Sequence, residues 1–96
     1  MYGTIARFQL KPGALQAMTE LGEQMAANPA PGFLAQYVYQ MDANPDELFV
    51  AVIFESREAY EANANSPEQH DEFLQMRELL AADPEWHDGE IVFTSR

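Results

Sequence analysis

Cysteine is absent from all 96 residues of the chain. This absence excludes disulfides, catalysis by a thiol and metal sites built on cysteine, and it fits a reducing compartment. The first residues lack the basic start and apolar core of a secretion signal, so we expect a cytoplasmic protein. No apolar run approaches the roughly 20 residues that a membrane-spanning helix needs.

Positive charge is scarce. Five Lys and Arg residues face 16 Asp and Glu residues, which gives a formal net charge of −11. Eleven of the acids lie between Glu55 and Glu90. Phosphate backbones and anionic membrane surfaces would be repelled, so we expect neither a nucleic acid nor a membrane as a partner. We interpret the acidity as a solvated helical surface that keeps a small domain soluble.

The hydrophobic pattern divides the chain into strands and helices. Strand patterns, alternating or wholly apolar, occupy residues 2–10, 33–41, 48–55 and 89–94. Helical spacing covers about residues 14–27, and two N-cap serines, Ser56 and Ser66, start a second helical segment that is broken in two. The order β-α-β-β-α-β predicts one ferredoxin-like α+β domain, residues 1–96, with a four-stranded antiparallel sheet.

Seven consecutive apolar residues, 48–54, form the third predicted strand. Neighbouring side chains of a strand point to opposite faces, so such a strand is buried on both. We expect the helices to cover the face of Val50 and Phe54. The other face, with Ile5, Val38 and Phe49, would pack on a second copy, because a chain of this size has no further element to cover it. The sequence therefore predicts a homodimeric α/β barrel.

Four segments, taken in order, resemble the antibiotic biosynthesis monooxygenase family of dimeric α/β barrels: Ala6-Arg7-Phe8-Gln9-Leu10-Lys11-Pro12-Gly13, Pro31-Gly32-Phe33-Leu34, Phe54-Glu55-Ser56-Arg57-Glu58-Ala59-Tyr60 and Ser66-Pro67-Glu68. The family includes monooxygenases that form quinones without metal or flavin, and haem-degrading enzymes. In the quinone-forming members an asparagine, a tryptophan and a tyrosine surround the substrate. The resemblance implies that the corresponding positions of this chain are Val50, Phe54 and Tyr60, in that order. The haem-degrading pattern is not met, because Ala6 replaces an asparagine and His70 falls about one turn early.

Tyr60 is the candidate catalytic residue. The resemblance implies that it lies at the mouth of a cleft between the sheet and the helices. There its phenol could donate a hydrogen bond to a substrate oxyanion or pass a proton. The alternative is a core aromatic residue whose hydroxyl reaches the surface.

An apolar, aromatic pocket for a flat polycyclic or phenolic ligand is the predicted binding site. We expect two tyrosines to point into it, and core residues from the third strand and the last helix to complete it: Tyr37, Tyr39, Val50, Phe54, Phe73 and Met76. The alternative for each of them is an ordinary place in the hydrophobic core.

His70 and Arg77 share one edge of the last predicted helix and could anchor a carboxylate or an enolate. The favoured alternative is a boundary histidine and an arginine that pairs with an acid. The pairs His70-Asp71 and His87-Asp88 lack metal-ligand spacing, so no metal is predicted. Without a glycine-rich phosphate loop, we expect no bound nucleotide or flavin.

Three functions remain open. The first is a cofactor-independent monooxygenase that acts on an aromatic or phenolic small molecule, and it rests on the family analogy. The second is a non-catalytic homodimer that binds an apolar or aromatic small molecule, and the third is a housekeeping domain whose cleft is filled by its own side chains. The apolar residues Val50 and Phe54, at the places of the asparagine and the tryptophan, favour the last two.

Overall fold

The computed structural model describes residues 1–96. The elements follow in the order β1 (Tyr2–Gln9), α1 (Leu15–Ala27), β2 (Phe33–Gln40), β3 (Glu47–Phe54), α2 (Arg57–Ala64), α3 (Pro67–Arg77) and β4 (Glu85–Glu90). The strands form one antiparallel sheet with the order β2-β3-β1-β4. The predicted ferredoxin-like α+β arrangement, with its second helical segment divided, is confirmed. None of the helices is both long and apolar enough to cross a membrane.

Two Pro-Gly turns connect the first helix to the sheet. Ala14 N donates to Lys11 O at 3.1 Å, and Phe33 N donates to Ala30 O at 3.0 Å. Gly13 and Gly32 have φ angles of 80° and 83°. A proline followed by a residue of positive φ is the type II turn, which requires glycine at the second central position. These turns set where α1 begins and where β2 enters the sheet.

Serine caps divide the second helical segment into α2 and α3. Ser56 Oγ accepts a hydrogen bond from Ala59 N, and Ser66 Oγ accepts one from Gln69 N, each at 3.1 Å. Such a cap contributes about 1 kcal/mol to helix stability. Pro67 follows at the first helical position, where its missing N–H costs nothing. Both N-caps match the sequence prediction.

The hydrophobic core lies between the helices and one face of the sheet, which we call the inner face. Its buried residues come from β1, α1, β3 and the end of α3: Ala6, Phe8, Leu10, Ala14, Met18, Leu21, Leu48, Val50, Met76 and Leu80. Val50 and Phe54 are 3% and 2% exposed, as expected for the helix-covered face of β3.

Strand β2 contains a β-bulge that reverses its side-chain pattern. Phe33 lies opposite Phe54 and Ala35 lies opposite Ile53, so Leu34 is an extra residue. Beyond the bulge, Tyr37 lies opposite Ala51 and Tyr39 opposite Phe49.

Directly opposed residues of an antiparallel pair share a face. Tyr37 and Tyr39 therefore lie on the outer face of the sheet, and Val38, opposite Val50, lies on the inner face. The predicted faces of these three residues were wrong, because strict alternation was extended from Phe33 through the bulge.

The outer face is the side of the sheet that no helix covers. It carries Ile5, Tyr37, Tyr39, Phe49, Ala51 and Ile53. Ile5, Tyr37 and Tyr39 are 59%, 55% and 56% exposed. At one end of this face Arg7 forms ion pairs with Glu47 and Glu85.

Strand β4 lies earlier in the sequence than predicted, at Glu85–Glu90 instead of 89–94. Trp86 is thus a strand residue opposite Ala6, and it packs edge-on against Phe8 with 5.5 Å between ring centroids. The apolar residues Ile91–Phe93 dominated the sequence signal, but Val92 and Phe93 are 92% and 80% exposed and belong to no strand.

Gly32 offers a test of the turn that joins α1 to β2. A Cβ at Gly32 would lie 2.6 Å from the Ala59 Cβ of α2, whereas a Cβ at Gly13 would meet nothing within 4 Å. Both glycines have positive φ, so alanine costs each about 1–2 kcal/mol in backbone strain. We expect Gly32→Ala to lower the free energy of unfolding by a further 1 kcal/mol or so, because of the clash. Urea unfolding of the two variants measures the difference, and equal losses would contradict the packing of this turn against α2.

Candidate functional site

Tyr60 lies one turn into α2, with its ring held against the inner face of the sheet. Its amide donates to Ser56 O at 3.1 Å, so the Ser56 cap fixes its place in the helix. The ring packs edge-on against Tyr2 and Phe54, with centroid distances of 5.3 Å and 5.7 Å. Such aromatic pairs contribute about 0.5–1.5 kcal/mol beyond the area they bury. The predicted neighbourhood of Tyr60 and Phe54 is therefore present.

The Tyr60 hydroxyl donates a hydrogen bond to Asp88 Oδ1 at 2.8 Å. Burial raises the pKa of Tyr60 to about 12, and the Asp88 carboxylate adds to this effect, while the nearby Thr4 hydroxyl acts in the opposite direction. Each cause has a plain origin, because burial and a neighbouring anion both disfavour a phenolate. At neutral pH the side chain is an uncharged hydrogen-bond donor.

Thr4 is the buried polar residue of this site. It lies on β1, opposite Val52 on one side and Asp88 on the other, and it is 5% exposed. Its Oγ1 is buried and has no hydrogen-bond partner, although it lies close enough to affect Tyr60. Buried hydroxyls almost always have a partner, and leaving one unsatisfied costs about 1–3 kcal/mol. This hydroxyl is therefore available to donate to the phenol oxygen of Tyr60 beside it.

Most of the residues predicted to line the pocket instead fill the core. Val50 and Met76 are buried members of the core, and Phe73 packs against it and against Trp86. Phe54 is buried between Tyr60 and Phe33. These side chains are packed on the inner face of the sheet. Of the predicted pocket, only the part around Tyr60 lies near the surface.

Tyr37 and Tyr39 are outside this site because they lie on the outer face. Tyr39 borders a shallow apolar depression of about 230 Å³ together with Ile5, Phe49, Val50 and Ala51. The prediction that both tyrosines point into the pocket was wrong, and the bulge at Leu34 is the physical reason.

His70 is exposed on α3, and Arg77 pairs with Asp83 at 3.0 Å on the surface. The Arg77–Asp83 ion pair agrees with the alternative favoured in the sequence analysis, an arginine that pairs with an acid. No three side chains of His, Asp or Glu come together in a way that could hold a metal ion.

A half-open depression of about 580 Å³ lies at the end of the sheet, next to the side chains of Tyr60 and Tyr2. It is lined by Met1, Tyr2, Glu55, Ser56, Arg57, Glu58, Gly89 and Glu90. Tyr2 belongs to both places, since its ring borders the depression and contacts Tyr60. The Arg57 guanidinium lies 5.6 Å from the centre of the same ring and pairs with Glu61 at 2.9 Å. The open space is therefore more polar than the predicted pocket.

Sequence reasoning missed Tyr2, Thr4 and Asp88 as members of the site. Thr4 carried a signal, because it is the polar residue of an otherwise apolar inward series on β1. Asp88 carried no such signal, because its position opposite Thr4 depends on the register between β1 and β4.

The family model for antibiotic biosynthesis monooxygenases matches residues 1–78. The chain belongs to the antibiotic biosynthesis monooxygenase family. The match includes Thr4 and Tyr60 and ends before β4, so Asp88 lies outside it. No curated protein matches the sequence significantly.

Solved structures of other proteins share the fold over nearly the whole chain. A protein of Chloroflexus aurantiacus assigned to the antibiotic biosynthesis monooxygenases is 28% identical, with a TM-score of 0.79 over 99% of this chain and 96% of that one. Rv0793 of Mycobacterium tuberculosis is 23% identical, with a TM-score of 0.79 over 99% and 98% of the two chains. SnoaB of Streptomyces nogalater, a cofactor-independent oxygenase solved as its N63A mutant, is 16% identical, with a TM-score of 0.83 over 97% and 94%.

The raised pKa of Tyr60 predicts a loss of stability at alkaline pH. An unfolded tyrosine titrates near 10, and Tyr60 in the folded chain titrates near 12. Its stabilising contribution is therefore complete below pH 10 and is lost as the pH rises through about 12. We expect Tyr60→Phe to weaken the dependence of the unfolding free energy on pH in this window. Urea midpoints measured from about pH 8 to 11.5 test this, with the exposed Tyr39→Phe as the control, and equal slopes for Tyr60→Phe and wild type would refute it.

Proposed function

We propose that this family member is a cofactor-independent monooxygenase that acts on an aromatic or phenolic small molecule. The observation that carries the proposal is the Tyr60 phenol, held neutral beside Asp88 and set between the rings of Tyr2 and Phe54. Family membership supports the reaction class. The cysteine-free composition supports a cytoplasmic location.

In the proposed reaction the substrate supplies the reducing electrons. It loses a proton to become a stabilised carbanion or phenolate, and the anion reacts with O₂ to form a hydroperoxide. Loss of water then leaves a carbonyl, so that one oxygen atom enters the product and the other leaves as water. The protein would orient the ring, exclude water and stabilise the developing oxyanion with the neutral Tyr60 donor.

Tyr60 is the proposed catalytic residue, and Tyr2, which borders the depression, is the aromatic surface against which the substrate ring lies. Val50 and Met76 belong to the packed core and Phe73 lies against it, so we place them behind the site as its apolar floor. The acids around the depression favour a substrate that arrives uncharged, because Glu55, Glu58 and Glu90 would repel an anion at the entrance.

A second candidate function is a non-catalytic homodimer that binds a small molecule. The observation that favours it is the burial of Val50 and Phe54, at 3% and 2% exposure. The resemblance implies a polar asparagine and an indole at these places in quinone-forming members. Here both are apolar and packed, which suits binding better than chemistry.

Oxygen uptake distinguishes the two functions. With anthrone or polyphenol substrates we expect Tyr60→Phe to lower kcat/KM by about 100-fold, the lower end of what a positioned proton-transfer group contributes. Tyr37→Phe, on the outer face, is the matched control and should leave the rate unchanged. Saturable quenching of Trp86 fluorescence by the same compounds without any oxygen uptake would support the binding module instead.

We also propose that two copies pack through their outer faces. The central residue of this face, Ile5, is 59% exposed and is surrounded by Phe49, Ala51 and Tyr39. Soluble monomers seldom expose a continuous apolar surface of this kind. A sheet of a second copy presents the same surface, so a two-fold axis would cover both at once.

Light scattering tests the dimer. We expect a mass of two chains for the wild type at micromolar concentration and of one chain for Ile5→Glu, because a carboxylate would be buried unpaired at the interface. Leu74→Glu is the matched control, since Leu74 is a similarly exposed apolar residue on α3, 47% exposed. A monomeric wild type would overturn the proposal.

A further inference from the structure

We propose that Thr4, Tyr60 and Asp88 form a proton relay in which Asp88 receives the substrate proton through the Tyr60 hydroxyl. The inference rests on the proposed function and names two further residues for it. Neither Thr4 nor Asp88 follows from the family resemblance, and Asp88 lies beyond the residues that the family model matches.

The three side chains come from three elements that the fold brings together. Thr4 of β1 and Asp88 of β4 are directly opposite in the antiparallel register, so both point to the inner face. Tyr60 of α2 reaches over this pair and donates its proton to Asp88 Oδ1 at 2.8 Å. Thr4 is 5% exposed and Asp88 is exposed, so the group runs from the interior to solvent.

The orientation of the Tyr60 hydroxyl decides the direction of proton transfer. Its O–H bond is directed at the Asp88 carboxylate, which leaves the lone pairs of the phenol oxygen free to accept a proton. In one concerted step the acidic O–H or C–H bond of the substrate breaks, and its proton forms a new O–H bond on Tyr60. The original Tyr60 proton passes to Asp88, and the electron pair of the broken bond stays on the substrate as its anion.

A concerted relay suits a phenol that resists ionisation. The pKa of Tyr60 is raised to about 12, so a standing phenolate would be rare at neutral pH. In the relay Tyr60 gains one proton as it loses another and does not need to ionise. Asp88 is exposed and returns the proton to water after each turnover.

Thr4 is the proposed positioning residue. Its buried Oγ1 has no partner in this structure and lies beside the Tyr60 hydroxyl. As the proton leaves Tyr60, the Thr4 hydroxyl can donate to the phenol oxygen and offset the growing negative charge. This explains why Thr4 acts to lower the pKa of Tyr60 while burial and Asp88 raise it.

The other charged or titratable groups around Tyr60 are few. Tyr2 of β1 contacts its ring, and Glu90 of β4 lies opposite Tyr2. Arg57, on the same helix as Tyr60, lies over the Tyr2 ring and pairs with Glu61. None of these is a hydrogen-bond partner of the Tyr60 hydroxyl, so Asp88 is the charged group with the largest effect on the pKa of Tyr60, after burial itself.

The first experiment titrates Tyr60 in the protein without substrate. Carbon-labelled tyrosine is followed by NMR, and Tyr60→Phe identifies the signal. We expect Asp88→Asn to move the midpoint from about 12 towards 10, Thr4→Val to raise it, and Asp88→Glu to leave it close to the wild type. Identical midpoints in the wild type and Asp88→Asn would overturn the relay. Because no turnover is needed, this result stands whether or not the proposed function does.

The second experiment measures oxygen uptake with anthrone. We expect Asp88→Asn to lower kcat by about 100-fold with little change in KM, and Asp88→Glu to recover most of the rate. A wild-type rate in Asp88→Asn would overturn the relay, whereas a wild type that consumes no oxygen would overturn the monooxygenase proposal and leave the titration to decide the relay.

Discussion

The register of β1 is the constraint on which the rest of the structure depends. This strand pairs with β3 on one side and β4 on the other, so its register fixes which side chains of the three strands lie next to one another on the inner face. Tyr2 thereby lies beside Phe54, and Thr4 beside Asp88. A slip of one residue would turn Thr4 outward and expose the core residues of the strand, and burial of those apolar side chains makes such a slip costly. The positions of Thr4 and Asp88 around Tyr60 are thus fixed by the same burial of apolar side chains that stabilises the core.

The charge distribution gives this site an unusual setting. The chain carries a net charge of −11, and its arginines at 7, 57 and 77 are each paired with an acid. Exposed pairs of this kind contribute little stability, and at the depression the pair with Glu61 offsets the charge of Arg57. Under the proposed function, an anionic substrate would be repelled at the rim, whereas a neutral phenol could approach Tyr60 and lose its proton there. The exposed Asp88 would then release this proton to solvent, so the acidic surface and a proton acceptor beside Tyr60 are consistent with each other.

Local signals in the sequence were sufficient for most of the fold. Ser56 and Ser66 act within one helical turn, and the alternation on β1 and the apolar run of β3 are visible in the local sequence, so these elements could be predicted. Three features could not, because local patterns do not show how strands far apart in sequence pair. The bulge at Leu34 changed the face of Tyr37, the register of β1 placed Asp88 beside Tyr60, and the exposed apolar residues Ile91–Phe93 carried a stronger strand signal than the polar β4.

The bulge also sets the composition of the outer surface. One additional residue at Leu34 decides which side chains of β2 face the helices and which face outward. Regular pairing from Phe33 onward, with Leu34 opposite Ile53, would bring Gln36 and Val38 to the outer surface in place of Tyr37 and Tyr39 without any change in the sequence. Deletion of Leu34, in contrast, would remove the bulge and leave both tyrosines outside, so that a gap in an alignment at this position would not signal a different surface.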